Sequence, residues 1–561
     1  MATTNTGGRL AELLHAEGID TIFSIPDPSY AAVHKRALEL GMRVVGARHE
    51  SAGVHMADAL SRVTGRPQVV MAGMGPGVAN MLPGVVCASI ENIPVVVIAT
   101  QRGRRALTAE RLGRFQFTPQ IRFFEPAVKY AALVDGPHRI DEVVHQAFRQ
   151  ATTGRPGPVY VEIPGDVMDE TIDFADLERP ERYRLGPQPA PPEAVAEAAE
   201  LLRAAKLPII LAGTGIHTAR VHAEFRALAE ALQCPVVTSP GGRGVLPSTH
   251  PQLLNFLGSG ADACQAADCI LTVGTAVGEP LRFGGPPLFG APGTQRWIIV
   301  ERDPAVFGVN RSFDLAVAGD LRIVLGQLAA AAAERGRFTA PPQLVEWRQQ
   351  YAAHRRSLIS AAPDTEPMHP GRALAEAREA VPDDAVLVLD GGSTGLFETF
   401  YGEQRSTEFL WTSKFGHLGT GLPYALGAQL GCGRDRCVCL ITGDSALGFN
   451  LTELDTAVRH NLPVLILVNY DQHWGMEAMA QELLIGQQVE CQHAPTRLDE
   501  IARAFGAHGE YVTRTADIRP AIGRALAARK PALVQLVTDW RVNAYEMPEM
   551  MKFLAFYEGN Y

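Results

Sequence analysis

Short, mostly apolar runs separated by longer stretches of helical period set the rhythm of this chain. Thr21 to Ile25, Val69 to Ala72, Pro94 to Ala99 and Pro158 to Ile163 show little apolar–polar alternation, the pattern of strands covered on both faces. With the helical stretches between them they predict a parallel sheet clothed by helices over residues 1–175. The proline-rich stretch RLGPQPAPPEAV, Arg184 to Val195, breaks the rhythm and reads as a linker. Beyond it, Pro208 to Ala212, Cys269 to Val273 and Trp297 to Val300 predict a second α/β domain over 192–337, closed by the alanine-rich helix Leu325 to Arg335 and by Pro341 and Pro342. A third, over 366–540, holds Ala385 to Leu389, Val464 to Val468 and Ala532 to Val537. The fold class is therefore α/β, three consecutive doubly wound parallel-sheet domains. A tail, 541–561, mixes methionine and aromatic residues and reads as a lid or as a segment packed on a neighbouring subunit.

The densest chemistry lies between Cys439 and Met476. One apolar run ends in Gly443-Asp444-Ser445, a helical segment follows, and the run Val464 to Val468 ends in Asn469-Tyr470-Asp471. In a strand–helix–strand unit both strands are parallel, so Asp444 and Asp471 emerge at one carboxyl edge, where open α/β sheets take their ligands. Two acids there suit a hard cation. Gly443 and Ser445 let backbone approach closely, and a following helix start near Asn450 to Thr452 offers free amides, so a phosphate bridged by magnesium is the natural ligand. Two solvated loop acids are the alternative that spacing alone leaves open.

Composition narrows the classes. The chain has 561 residues, enough for three or four domains, and is 46% hydrophobic. Its net charge of −10, with no basic stripe, argues against nucleic acid. No apolar run approaches the roughly 20 residues a bilayer requires, so no membrane partner is expected. The beginning, MATTNTGGRLAELLHAEG, lacks a signal-peptide pattern, and the expected location is cytoplasmic. Eight cysteines scattered through apolar contexts read as reduced core residues. Cys432, Cys437 and Cys439 lie close together without a histidine pair and carry no metal assignment. Arg102, Arg104, Arg105, Arg111 and Arg114 cluster, either as a solvated face or as an anion site for a substrate carboxylate or a CoA phosphate.

The Gly443-Asp444-Ser445 and Tyr470-Asp471 pair resembles the cofactor signature of thiamine diphosphate enzymes of the acetolactate synthase and 2-oxo acid decarboxylase superfamily, with Ser for Gly at 445 and Asp for Asn at 471. The resemblance implies magnesium held by Asp444, Asp471 and the His473 carbonyl, with Gly443, Ser445, Ala446, His473, Trp474, Gly475 and Met476 around the cofactor. A second signature, Arg48-His49-Glu50, resembles the family's Arg-His-Glu. There the acid, here Glu50, meets the aminopyrimidine and promotes loss of the thiazolium C2 proton. Gly75-Pro76-Gly77, Phe115-Gln116 and Phe415 to Pro423 follow in the family's order. Gln116 falls in its active-site Gln segment, Gly416 and Leu418 in the segment that grips and bends the cofactor, and Gly392, Ser393 and Thr394 where it makes further diphosphate contacts.

The resemblance spans essentially the whole chain and implies pyrimidine-binding, middle Rossmann-like and diphosphate-binding domains. It also implies a homodimer as minimal active unit and commonly a homotetramer, acting on a small-molecule substrate. Some relatives carry FAD or ADP in the middle domain; here Ala212-Gly213-Thr214-Gly215 fits that and equally fits a plain turn. Ser24 to Tyr30 departs from the family's Gly-x-Pro-Gly, being stiffer and acidic at Asp27. Glu477 falls where pyruvate decarboxylases place a pocket acid, while their His-His pair has no counterpart in the Arg102 to Gln116 region. The implied activity is thiamine diphosphate- and magnesium-dependent carbon–carbon bond cleavage or formation on a 2-oxo acid, by an acetolactate synthase-like decarboxylase or carboligase. His473-Trp474-Gly475-Met476 supports it. Phe115 to Gln120 and the arginines support a 2-hydroxyacyl-CoA lyase or oxalyl-CoA decarboxylase, although the Asn-rich loop of those enzymes is missing. Intact Glu50, Asp444 and Asp471 speak against a non-catalytic cofactor-binding homologue.

Overall fold

The computed structural model describes residues 2–107, 112–254, 256, 258–334, 336 and 338–544, so most of the tail falls outside the described residues. A two-stranded antiparallel ribbon joins β1 (Ala2–Asn5) to β8 (Thr171–Phe174), an element that the apolar runs do not announce. The remaining strands form three six-stranded sheets. The first holds β2 (Thr21–Ser24), β3 (Arg43–Gly46), β4 (Gln68–Ala72), β5 (Val95–Gln101), β6 (Ala131–Leu133) and β7 (Val159–Pro164), in the order β3-β2-β4-β5-β7-β6. The second holds β9 (Pro208–Ala212), β10 (Val236–Thr238), β11 (Leu253–Leu254), β12 (Cys269–Val273), β13 (Arg296–Glu301) and β14 (Leu315–Ala318), in the order β11-β10-β9-β12-β13-β14. The third holds β15 (Val386–Leu389), β16 (Phe409–Leu410), β17 (Val438–Gly443), β18 (Leu465–Tyr470), β19 (His508–Val512) and β20 (Ala532–Val537), in the order β16-β15-β17-β18-β20-β19.

Every pairing within the three sheets is parallel. Counted in chain order, the first and third sheets share the winding 2-1-3-4-6-5, and the second has the dinucleotide-binding winding 3-2-1-4-5-6. Both faces are covered. On β9, Ile209 and Leu211 pack with Phe289 and Trp297, while Ile210 and Ala212 pack on the other side with Phe225 and Leu228. The expected α/β class with three doubly wound parallel sheets is what the chain adopts.

The chain forms two compact units. One comprises Met1–Gly186, Lys414–Gly433 and Asn450–Leu462, and the other Pro187–Ser413, Arg434–Phe449 and Pro463–Tyr561. The first unit thus takes the helix Gly421–Cys432 from late in the sequence and packs it on the helix Glu50–Thr64. Gly427 and Gly431, four residues apart on one helix face, allow this: a Cβ on Gly427 would meet the Met56 carbonyl oxygen, and one on Gly431 the Val63 side chain. Beside this crossing Arg62 donates to Asp58 at 2.6 Å and to the Tyr424 hydroxyl at 3.2 Å, and Tyr424 donates to Asp58 at 2.8 Å. Burial alone would pull the Arg62 pKa down, but Asp58, Tyr424 and Glu91 outweigh it and hold the guanidinium above its ordinary range.

An uncompensated buried carboxylate is costly, so Arg62→Met should destabilise the first unit by about 3–5 kcal/mol. The pair Asp58→Asn with Arg62→Met should cost measurably less than the single change. Urea denaturation of the two variants beside the wild type measures both.

Candidate active site

In an open parallel sheet the ligand crevice forms where neighbouring strands feed connections of opposite direction. In the third sheet that point lies between β15 and β17. β15 leads into Gly391, whose φ of 102° is open to glycine, and then into the helix Gly392–Tyr401. β17 ends at Gly443, opposite Asn469 of β18, so Asp444 and Asp471 follow neighbouring strand ends as the spacing predicted.

The surrounding glycines are places of close approach. A Cβ on Gly391 would lie 3.1 Å from the Gly443 nitrogen, and one on Gly443 3.1 Å from Thr394 Oγ1. A Cβ on Gly392 would strike Met476 Sδ, and one on Gly475 would strike Ser393 Oγ and stand 3.0 Å from Asp471 Oδ2. Gly392, Ser393, Thr394, Gly443, Gly475, Met476 and Asp471 are therefore brought together. Ala446 is buried in the short helix after Asp444.

Backbone amides orient the two acids. Asp444 accepts from the Ser445 and Gln472 amides, both at 2.8 Å, and Asp471 accepts from the His473 amide at 3.0 Å. Burial pushes both carboxyls above their ordinary range, and the charge of Asp444 raises Asp471 further. The Ser445 hydroxyl donates to the His473 carbonyl at 2.7 Å and lies 3.0 Å from His493 Nε2. The His473 ring donates through Nδ1 to the Asp471 carbonyl and stacks on Trp540. Trp474 packs edge-on against Phe449 and His493. Among the described residues no cluster of three or more His, Cys, Asp or Glu side chains suits a metal. Two carboxylates and a backbone carbonyl nevertheless make an oxygen-only donor set, which fits a hard cation, and the glycine-lined turn fits a diphosphate. Glu477, two residues past Gly475, stands exposed.

In the first unit the equivalent point lies between β2 and β4. The turn from Gly73 to Gly77 meets a different partner at each glycine. A Cβ would strike the Asp27 carboxylate at Gly73 and the Gln116 carbonyl at Gly75, and at Gly77 it would lie 3.1 Å from Glu50 Oε1. Glu50 opens the helix Glu50–Thr64, and its Oε2 accepts from Asn80 at 3.0 Å. Gln116 has a φ of 54° and an exposed side chain. Buried Gln120 instead ties this loop down, accepting from the Gly75 amide at 2.7 Å and donating to Thr100, Tyr160 and Glu162.

Gly416 and Leu418 belong to the same unit as Glu50, Gly416 exposed with a φ of 65° and Leu418 half-buried. Glu91 accepts from the Lys414 and Phe415 amides at 2.8 and 3.3 Å and so steers the chain into them. Of the arginine cluster, Arg104 pairs with Asp166 and Glu170, Arg114 lies over Phe117, and Arg111 falls outside the described residues.

Three positioning contacts escape sequence reasoning. Glu453, fully buried, accepts from the Arg48 and His49 amides at 2.9 and 3.1 Å and fixes the approach to Glu50. His493 reaches Ser445, and its amide donates to the Gln472 carbonyl at 2.7 Å. Asp27 carries a signal, the departure from Gly-x-Pro-Gly, but not its contact with Gly73. In the second sheet Gly215 donates to the Gly274 carbonyl at 2.8 Å, and a Cβ on Gly213 would strike that carbonyl, so close backbone packing accounts for these glycines.

Comparison with known proteins agrees with this geometry. Residues 4–122 match the N-terminal binding domain of thiamine pyrophosphate enzymes, 195–328 their central domain, and 390–536 their C-terminal binding domain. The acetolactate synthase large subunit of Mycobacterium tuberculosis is 32% identical over 549 residues, 96% of each chain. Sulfoacetaldehyde acetyltransferase of Castellaniella defragrans is 28% identical over 94% of this chain and 92% of its own. The mouse 2-hydroxyacyl-CoA lyase 1 is 27% identical over 94% and 93%. With matches to all three domains and full-length relatives of this kind, the chain belongs to the thiamine pyrophosphate enzymes.

Proposed function

We propose that this protein is a thiamine diphosphate- and magnesium-dependent enzyme that breaks or forms a carbon–carbon bond on a 2-oxo acid, in the manner of an acetolactate synthase. The observation that carries the reading is the pair Asp444 and Asp471 at the edge of the third sheet, beside a glycine-lined turn and within a chain alike over its full length to acetolactate synthases. Bound thiamine diphosphate supplies an acidic carbon centre that adds to a carbonyl and accepts the electrons of the broken bond.

In this reading Asp444, Asp471 and the His473 carbonyl hold magnesium, the first two neutralising its charge. Gly392, Ser393, Thr394, Gly443, Ser445, Ala446, Trp474, Gly475 and Met476 hold the diphosphate by close backbone approach and hydroxyl donation. Gly416 and Leu418 grip the aminopyrimidine. Glu50 exchanges a proton through its carboxyl, held in place by Asn80 and by the Glu453-anchored backbone before it. Gln116 orients substrate and Glu477 returns a proton to product. Domains over 1–175, 192–337 and 366–540, a homodimer as minimal unit, a homotetramer as the usual assembly and a cytoplasmic location complete the reading; a flavin or ADP in the middle domain does not form part of it. No helix among the described residues is long and apolar enough to cross a membrane.

The relative active on 2-hydroxyacyl-CoA favours a second reading, a CoA lyase. The two are separated by incubating the reconstituted enzyme with 2-oxo acids and with 2-hydroxyacyl-CoAs and reading products by mass spectrometry. Carbon dioxide with an acyloin or acetohydroxy acid is expected; formyl-CoA with a free carbonyl compound would assign the second reading.

Glu50→Gln should lower kcat by roughly 10²–10⁴-fold, the range of general acid–base catalysis, while calorimetric affinity for thiamine diphosphate changes by less than about tenfold. A pH effect follows from the raised carboxyls. Held above their unfolded values, they let the metal-free folded chain bind more protons than the unfolded chain, so its stability falls as pH climbs past the ordinary carboxyl range of about 4. Magnesium displaces those protons and should raise Tm more at about pH 8 than at about pH 5. Asp471→Asn should flatten the metal-free slope; an unchanged slope in differential scanning fluorimetry would remove the pair as its cause.

A further inference from the structure

The arginines that follow β5 take no part in the chemistry proposed above, and their surroundings differ. Arg104 pairs with Asp166 and Glu170. Arg114 lies over Phe117 and donates to the Ala106 carbonyl at 2.9 Å. Arg105 is exposed, so water balances its charge. Arg102 is half-buried, and among the described residues its guanidinium meets only Met74, with Nη1 3.9 Å from Sδ. No described carboxylate pairs with it. A guanidinium partly withdrawn from water without a counter-ion favours an anionic guest.

Position narrows the guest. β4 and β5 are parallel neighbours with Ala72 opposite Ala99, so Met74 and Arg102 both follow carboxyl strand ends, Met74 beside the switch point of the first sheet and Arg102 one strand further. Met74 belongs to the turn whose glycines meet Asp27, Gln116 and Glu50. The backbone beneath Arg102 is fixed: its amide donates to Gln101 Oε1 at 2.8 Å, and buried Gln101 donates in turn to the Thr118 carbonyl at 3.1 Å. Asp27 is engaged elsewhere, by the Ser29 amide at 2.8 Å and by the Ser29 hydroxyl. A planar guanidinium at this edge suits a carboxylate, which it can grip with two parallel hydrogen bonds. A 2-oxo acid carries its carboxylate bonded directly to the reacting carbonyl, so anchoring the one positions the other.

We propose, on the reading of the protein as an enzyme of 2-oxo acids, that Arg102 binds the substrate carboxylate and so selects for that class of substrate. The guanidinium takes the two carboxylate oxygens, and the adjacent carbonyl then lies along the Gly73–Gly77 turn. A carbonyl compound without a carboxylate gains nothing from this contact.

Full-length protein loaded with magnesium and thiamine diphosphate is titrated with N-methyloxamate, an unreactive 2-oxo acid isostere, and with its neutral counterpart N-methyloxamide, observed by saturation-transfer NMR of the N-methyl protons. The wild type should bind the anion saturably, with a Kd at or below about 5 mM and at least about fivefold tighter than the amide. Arg102→Met should weaken N-methyloxamate by at least about tenfold, and Arg102→Lys by less, because an ammonium keeps the charge but lacks the two-pronged grip. Arg105→Met controls for diffuse charge and should leave both probes alone, with circular dichroism melts reporting the fold of each variant. No saturable binding of the anion up to about 50 mM, equal binding in the wild type and Arg102→Met, or an equal loss in Arg105→Met would overturn the proposal. Coenzyme A binding that is lost in Arg102→Met while N-methyloxamate is kept would overturn it too, assigning the guanidinium to a phosphate. Arg102-dependent binding of N-methyloxamate without turnover of any 2-oxo acid would remove the proposed reaction and leave the carboxylate site standing.

Discussion

The first unit depends on two helices being allowed to touch backbone to backbone. Glycine at 427 and 431 removes the side chains that would keep Gly421–Cys432 from Glu50–Thr64, and the closeness seals Asp58, Arg62 and Tyr424 from water. Sealed charges tolerate only complete pairing, so the crossing is specified by geometry and by electrostatics at once. Glu50 stands at the start of one of these helices, and Gly416 and Leu418 immediately precede the other. The same contact that builds the unit also sets where its chemical groups stand.

The third sheet answers a different constraint. Two carboxylates gathered at one strand edge repel each other and resist desolvation, and neighbouring amides only partly offset this. Such a pair stores a preference for a cation. Beside the pair the Ser445 hydroxyl donates to the His473 carbonyl, and Asp471 brings the second carboxylate to the strand edge.

Much of this architecture is legible in the sequence, because fully buried parallel strands leave unbroken apolar runs. Pro208 to Ala212, Cys269 to Val273 and Ala532 to Val537 are strands with the expected bounds, and Ala385 to Leu389 differs by one residue. Asp444 and Asp471 were legible as well, since parallel strands fix which ends share an edge. What stayed hidden is long-range choice of partner. Nothing local in Glu453 says that it binds the amides of Arg48 and His49, or in His493 that it reaches Ser445, because those contacts join segments far apart in sequence. The β1–β8 ribbon and the grouping of Lys414–Gly433 with the first sheet were hidden for the same reason. Gln120 is the instructive case beside Gln116: four residues apart in the sequence and alike in chemistry, one is buried as a structural tie and the other is exposed at a strained φ.

The discontinuity of the first unit also has a consequence during synthesis. Its first sheet is complete once the ribosome passes Gly186, yet the helix that covers Met56, Leu60 and Val63 lies beyond Ser413. At roughly 5–20 residues per second, translation of the intervening Pro187–Ser413 occupies on the order of ten to fifty seconds. Throughout that interval the nascent chain carries an apolar helix face and the Asp58–Arg62 pair without their cover, far longer than the time such a surface needs to find a wrong partner. Chaperone dependence in the cell should accordingly concentrate on the first third of the chain while Pro187–Ser413 is still being made.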